Sequence, residues 1–280
     1  MGSYDFDVAV IGGGSAGYAT ARSTAAAGKR TVIIEAGEEL GGLCILRGCM
    51  PTKALLHAAD VRFQAQRSKL WGPEPGEIGF DYAAVMRRKA AMVEEFASYR
   101  RGQLQDGRFE LIRNLAMFRD PHTLELDDGQ TITAGHLMIS TGSRVAELPL
   151  PGLAKLGCIT SDDVLELESL PQSIIVLGGG AVAVEFAQFF ARFDVEVTLL
   201  QRSPHILKAF DDDVAGEVEA TFLDEGITVH TGCSLTGARQ EGNEKVIVYE
   251  RNGGQHEVRA EAVFHGLGRS PNTESLALEN

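Results

Sequence analysis

The sequence is short of positive charge, of cysteine and of long apolar runs. Its 280 residues carry 26 Lys and Arg against 39 Asp and Glu, a formal net charge of −13. Nucleic acid and anionic membrane surfaces repel such a polyanion, so neither is expected as a partner. Only 4 cysteines are present, too few for a disulfide framework at this size, and a cytoplasmic protein with reduced thiols is the expectation. The apolar run Val8 to Ile11 is too short for a secretory leader and follows no basic residue; Gly2 is present, but Phe6 stands where myristoylation wants Ser or Thr. Ile174 to Phe193 is the most membrane-like stretch, yet it holds three successive glycines, Glu185 and Gln188, and reads as a buried strand, turn and helix. With 44% hydrophobic and 23% charged residues the chain is neither disordered nor fibrous. Its length allows one large domain or two smaller ones.

Glycine, by contrast, is plentiful: 32 residues, about one in nine. Many of them fall into one unit that occurs twice. Asp7 to Ile11 is an apolar run followed by Gly12-Gly13-Gly14-Ser15-Ala16-Gly17, a helical stretch to Ala27, a stop at Gly28 and a second apolar run, Thr31 to Ile34, ending in Glu35. Ile174 to Leu177 repeats the pattern with Gly178-Gly179-Gly180-Ala181-Val182-Ala183, a helical stretch to Phe193 and the run Val195 to Leu200. Two such βαβ openings predict an α/β chain with two doubly wound, Rossmann-like nucleotide-binding domains. Between them Asp81 to Gln105 has helical composition, and Glu110 to Phe118, Thr123 to Leu126 and Thr131 to Ile139 read as strands. The breakers at Pro149 to Gly152 mark the expected boundary, giving domains over 1–150 and 151–272, with 273–280 returning to the first. Past the second unit, Asp211 to Glu225 reads as a helix, and Thr228 to His230, Lys245 to Glu250, Glu257 to Arg259 and Ala262 to Phe264 as strands.

The first unit satisfies the dinucleotide fingerprint. Gly12 permits the tight turn, Gly14 lets a pyrophosphate approach the backbone, Gly17 allows close helix packing, and Glu35 can accept from ribose hydroxyls. The second differs in two places: Ala183 replaces the third glycine, and the strand ends in Gln201-Arg202 with no acid. A carboxylate there would repel a 2′-phosphate, whereas Arg202, with Lys208 a turn later, can pair with one. This argues for NADPH over NADH.

The sharpest element is Gly41-Gly42-Leu43-Cys44-Ile45-Leu46-Arg47-Gly48-Cys49-Met50-Pro51-Thr52-Lys53. Two cysteines five positions apart can form a metal half-site, but zinc needs three or four protein ligands and His57 alone does not complete the set. A redox pair is the better reading, with Pro51 helping to start a helix whose N-terminus favours the Cys49 thiolate.

This segment resembles the C-x-x-x-x-C-x-P-[ST]-K element of the flavoprotein pyridine nucleotide-disulfide oxidoreductases, the group of glutathione reductase, dihydrolipoamide dehydrogenase and mercuric reductase. Ile139-Ser140-Thr141-Gly142-Ser143 is similar to the group's A-T-G-S turn, Gly178 to Glu185 to its second nucleotide motif, and Gly268-Arg269-Ser270-Pro271-Asn272-Thr273 to its G-R-x-P-N-T return. The resemblance implies FAD and NADPH as cofactors, with hydride passing from NADPH to FAD, then to a Cys44–Cys49 disulfide, and finally to a disulfide or metal-ion acceptor. Cys49 would face the flavin and Cys44 would be the outer, interchange thiol. Lys53 would pair with Glu185 beside the flavin, linking the two domains. The cofactor-binding set it implies comprises Gly12, Gly14, Ser15, Ala16, Gly17, Glu35, Gly42, Lys53, Ala116, Thr141, Gly142, Gly178, Gly180, Ala183, Arg202, Lys208 and Gly268, with no resident metal. Cys158 and Cys233 are expected to be inert.

The chain departs from the group at Leu43, at Leu46-Arg47, and at Ala181, where some members carry a Tyr that covers the flavin. The resemblance also implies a further FAD segment and a homodimerisation domain, which supplies a His-Glu acid-base pair; neither falls within these residues, and the seven histidines present are assigned to structure or surface. Two alternatives stay open. The chain can be a nucleotide-binding fragment without turnover, or an NAD(P)H dehydrogenase in which the cysteines are spectators.

Overall fold

The structure, a computed structural model, describes residues 4–280. Its contacts divide into two compact units, the first holding the chain up to Pro51, Ala90–Arg144 and Ser270–Asn280, the second holding Thr52–Lys89 and Val145–Arg269. The units are therefore not the contiguous spans expected from the Pro149 to Gly152 breakers, because two long helices are shared between them.

The first unit runs β1 (Phe6–Ile11), α1 (Ser15–Ala26), β2 (Thr31–Ile34), α2 (Gly42–Leu46) and the start of α3 (Cys49–Arg67). The chain re-enters it within α4 (Tyr82–Leu104) and continues through β3 (Glu110–Ile112), β4 (Ala116–Asp120), β5 (Thr123–Leu126) and β6 (Thr131–Ile139). One six-stranded sheet results, in the order β3-β2-β1-β6-β5-β4, with β3, β2, β1 and β6 parallel and β4 to β6 antiparallel. Every residue of β2 and the last four of β1 are buried, which is why these strands read as unbroken apolar runs rather than alternating ones. The single strand expected over Glu110 to Phe118 is two, and its halves lie at opposite edges of the sheet. Asn114 causes the break: its Oδ1 accepts from the Leu115 N–H at 2.8 Å, a local bond that competes with strand pairing.

The second unit contains the body of α3, then β7 (Ser143–Val145) as the chain enters it, α5 (Ser161–Val164), β8 (Ser173–Leu177), α6 (Ala181–Arg192), β9 (Glu196–Leu200), α7 (Asp212–Asp224) and β10 (Thr228–His230). It closes with β11 (Ser234–Glu241), β12 (Glu244–Arg251), β13 (Gly254–Ala260), β14 (Ala262–His265) and β15 (Arg269–Pro271), where the chain leaves. A parallel sheet has the order β10-β9-β8-β14, and β11-β12-β13 form an antiparallel meander. On one face of the parallel sheet α3 and α6 bury Leu55, Ala59, Phe186, Phe189 and Phe190 with Phe264. Phe186 and Phe264 meet at 5.1 Å between ring centroids, and each fully buried ring contributes about 1.5–3 kcal/mol. β11 escaped the sequence reading because it does not alternate. Its register shifts between Leu235 and Gly237, and Arg239 and Glu241 point to solvent as an ion-paired group with Glu257 and Arg259.

Candidate nucleotide and thiol sites

In the first unit the turn after β1 is built around Gly12, whose φ of +101° disfavours any L side chain. A Cβ at Gly12 would overlap the Ser140 carbonyl, because the end of β6 crosses directly over the turn; the Ser140 N–H donates to the Ile11 oxygen at 2.8 Å. The crossing sets Thr141 beside the turn, with its N 3.2 Å from that Cβ position. A Cβ at Gly17 would likewise overlap the Gly12 carbonyl, so α1 and the turn touch through backbone alone. Gly14 caps α1 without any side-chain hydrogen bond, and Ser15 and Ala16 are exposed at its first turn. The open N–H groups there form an anion-binding end of a twelve-residue helix. Gly42, at the start of α2, lies flush against Gly14, so neither carries a side chain where their backbones meet.

Glu35 ends β2 and holds the turn in shape. Its Oε2 accepts from the Gly13 N–H and its Oε1 from the Gly37 N–H, both at 2.6 Å. Each carboxylate oxygen has two acceptor positions, so one on each remains for a ribose hydroxyl. Gly142 has φ +74° and its carbonyl accepts from Asn272 N–H at 3.0 Å, fixing the A-T-G-S-like turn to the chain that returns after Gly268. Ala116 is different: it is 3% exposed and its methyl packs in the core with Ala9 and Ile11, leaving only its backbone for a ligand. These donors, acceptors and bare backbone edges match the adenosine and pyrophosphate of a dinucleotide.

The cysteine segment folds as a short helix, a tight turn and a long helix. Cys44 lies on α2, Arg47 ends it with its N–H on the Leu43 carbonyl at 2.9 Å, and Cys49 is the first residue of α3. A Cβ on Gly48 would stand 3.2 Å from the Cys44 Cα, so the turn brings the start of α3 back against Cys44. Pro51 sits in the first turn of α3, where a missing N–H costs nothing. Cys49 is exposed and Cys44 half-buried. Cys158 and Cys233 lie elsewhere, and burial pushes both thiols up, against a lowering by Lys245 and Arg251 respectively. That environment holds them protonated.

In the second unit Lys53 Nζ, on α3, donates to Glu185 Oε1 on α6, forming an ion pair. Both side chains are part-exposed, at 58% and 32%. Glu185 also lines a cleft of about 300 Å³ between these helices, with Leu56, His57, Asp60, Gln188 and Arg192.

The turn after β8 repeats the first. Gly178 has φ +103°, a Cβ on it would overlap the Gly266 carbonyl, and Gly180 caps α6 with no side-chain bond. Ala183 is fully buried, and the room for its methyl comes from Gly266, whose own Cβ would stand 2.8 Å from it. Gln201 occupies the position that Glu35 holds in the first unit, with its Cγ and Cδ 3.0 Å from a Cβ built on Gly179. The sequence reading noted that no acid stands there but missed that the glutamine covers the turn; its spacing from Gly179, matching that of Glu35 from Gly13, was the available signal. Its Oε1 accepts from the Arg202 N–H at 3.1 Å. Leu207 N–H donates to the Gly179 carbonyl at 2.6 Å, which folds the segment carrying Arg202 and Lys208 back over the turn; both cations are exposed. Gly268, with φ +110°, is exposed at the chain's exit, its carbonyl accepting from Ala146 N–H at 3.0 Å.

Among the described residues no group of His, Cys, Asp and Glu is arranged to hold a metal ion, and no helix is long and apolar enough to cross a membrane.

Comparison with known proteins extends this geometry. The sequence model of the family described as pyridine nucleotide-disulphide oxidoreductase matches residues 6–280. A mercuric reductase of Staphylococcus aureus is 32% identical over 277 residues, covering 99% of this chain and 50% of the relative. A dihydrolipoyl dehydrogenase of Geobacillus stearothermophilus is 33% identical over 273 residues, covering 96% and 58%. Among solved structures, the HOCl-induced flavoprotein disulfide reductase RclA from Escherichia coli superposes with a TM-score of 0.82 at 28% identity, covering 98% of this chain and 59% of that one. The chain thus spans half to three-fifths of the length of these proteins.

Proposed function

The chain belongs to the pyridine nucleotide-disulphide oxidoreductase family, and from that premise we propose that it carries the FAD-binding and NADPH-binding parts of a reductase acting through Cys44 and Cys49. The observation that carries the reading is the sulfur segment. A half-buried cysteine on α2 is folded by the Gly48 turn against a second cysteine that opens a nineteen-residue helix. The start of such a helix stabilises a thiolate.

FAD would be held by the Gly12 to Gly17 turn, the open first turn of α1, Glu35, Thr141 and Gly142. When bound it supplies two-electron storage between a nicotinamide and a disulfide. A planar group resting on Cys49 would cover the exposed sulfur and leave Cys44 as the thiol that meets the acceptor. The Cys44 thiolate attacks one sulfur of a disulfide acceptor and expels the other as thiolate; Cys49 then attacks Cys44, releasing the second half and closing the Cys44–Cys49 bond. Glu185 fixes the Lys53 ammonium on α3, one helical turn beyond Cys49, so that a positive charge stands on that face of the helix. NADPH is favoured over NADH by Arg202 and Lys208, with the uncharged Gln201 in the place of an acid.

The names of the mercuric reductase and of the flavoprotein disulfide reductase supply two acceptor classes, mercuric ion and a disulfide, and both suit a pair of thiols. The test is spectroscopic. Purified chain is expected to be yellow and to develop a long-wavelength thiolate-to-flavin band on addition of NADPH, and Cys49→Ala should keep the yellow colour and lose the band. Colourless protein that still binds NADPH would replace this reading with a nucleotide-binding fragment. A C49A variant with undiminished turnover would make the cysteines spectators.

A further inference from the structure

The segment from Gln201 to Asp211 joins β9 to α7 outside any helix or strand and carries both Arg202 and Lys208. Its first limb is tied to the loop after β10: the Gln201 N–H donates to the His230 carbonyl at 2.8 Å, and the Ser203 carbonyl accepts from the Gly232 N–H at 3.0 Å. Its second limb is tied to the glycine turn through Leu207 and to α7 through the Ile206 N–H, which donates to Glu219 Oε1 at 2.8 Å; Ile206 itself is fully buried. Between the limbs Pro204 has no N–H to give, and His205 forms the crest.

The His205 side chain fastens that crest. Its Nδ1 stands 2.6 Å from the Ile206 carbonyl oxygen, and its Nε2 stands 3.2 Å from the carboxylate of Asp212, in the first turn of α7. Both partners only accept, so a neutral ring makes one of the two bonds and a protonated ring makes both. The ring is 29% exposed against 94% for Asp212, so the histidine packs into the segment while the carboxylate stands in solvent. With both nitrogens engaged, the ring offers a ligand no polar atom. What it can do is hold the span from Arg202 to Lys208 against the start of α7, a helix anchored in the core by Ala215 and Phe222. A span free to move would spread its cations over many positions, and ordering them on one phosphate would cost affinity.

We infer that His205 is a positioning residue for dinucleotide choice: by tying their segment to Asp212 it sets Arg202 and Lys208 for a 2′-phosphate. The inference rests on the reading of these two cations as the phosphate site. By titration calorimetry on the full chain, His205→Ala should weaken NADPH about three- to fivefold, the worth of one exposed ion pair, and leave NADH unchanged. His205→Gln, whose amide has two N–H donors, should recover part of the loss. Asp212→Ala gives the sharper sign. Removing a carboxylate near a phosphate site tightens NADPH if charge alone acts, whereas release of the crest should weaken NADPH about as much as H205A does. Asp212 stands in solvent, so this variant decides the matter should H205A fail to fold. With Arg202 and Lys208 both replaced by Ala, His205→Ala should have no further effect on NADPH, since nothing is left to position. Unchanged NADPH affinity in H205A, tighter NADPH in D212A, equal loss of both dinucleotides, or a full further loss in the cation-free background would each overturn the assignment. If removing the two cations alone leaves NADPH affinity as it was, the phosphate reading itself falls.

Discussion

Gly12 turns at φ +101° beneath the Ser140 carbonyl, and Gly178 turns at φ +103° beneath that of Gly266. The backbones of the two regions are nearly the same, yet their fillings differ. In the first, the helix contributes the missing Cβ at Gly17, and a carboxylate closes the turn. In the second, the helix carries the methyl of Ala183, the missing Cβ has moved to Gly266 on the neighbouring chain, and an amide closes the turn. The close approach of helix and strand is thus a sum of volumes, and either side can give way. What the closing residue does is not interchangeable: Glu35 spends one acceptor position of each oxygen on backbone N–H groups and keeps the rest, whereas Gln201 covers the turn without a charge.

The largest expected effect breaks the first filling. Gly17→Ala forces a methyl onto the Gly12 carbonyl with no compensating gap, and should cost about 3 kcal/mol in urea unfolding. Glu35→Gln places an amide nitrogen against one of two backbone N–H donors and should cost about 2 kcal/mol, with loss of the yellow colour on dialysis. In the second region, replacing Arg202 and Lys208 together by Ala should weaken NADPH about tenfold, or about 1.4 kcal/mol, and leave NADH unchanged; equal loss of both dinucleotides would make the cations structural. The smallest effect sharpens the comparison. Ala183→Gly should cost about 1 kcal/mol of stability and leave dinucleotide affinity as it was, because the turn already reaches its shape with the methyl present.

Both βαβ openings were legible because each compresses into a short window an apolar run, a glycine turn and a helix-forming stretch. The ends of α6 and α7 and most strand limits also followed from local composition. The division of the chain into units was not legible: α3 and α4 each pass from one unit to the other without a breaker, and helix-forming residues say nothing about which core will bury them. Asn114 hid the break between β3 and β4, since a run flanked by Leu111 and Leu115 reads as continuous until one side chain takes a neighbouring N–H. At the sites, the two glycine turns, Glu35 and the cysteine spacing were all plain from residue type. Ala116 was named as a cofactor neighbour, yet the fold spends its side chain on the core.

The sequence by itself determined the repeated turn, the acid at the end of one strand and its absence from the other, and two cysteines at a spacing suited to redox exchange. These are properties of adjacent residues, fixed by backbone sterics and side-chain chemistry before the chain closes. Only the tertiary structure decided which backbone lies over each turn, that Gly266 makes room for Ala183, and that Gln201 stands where Glu35 does. Each of those pairs residues far apart in sequence, and a sheet assembles them by hydrogen-bond register, which local composition does not encode.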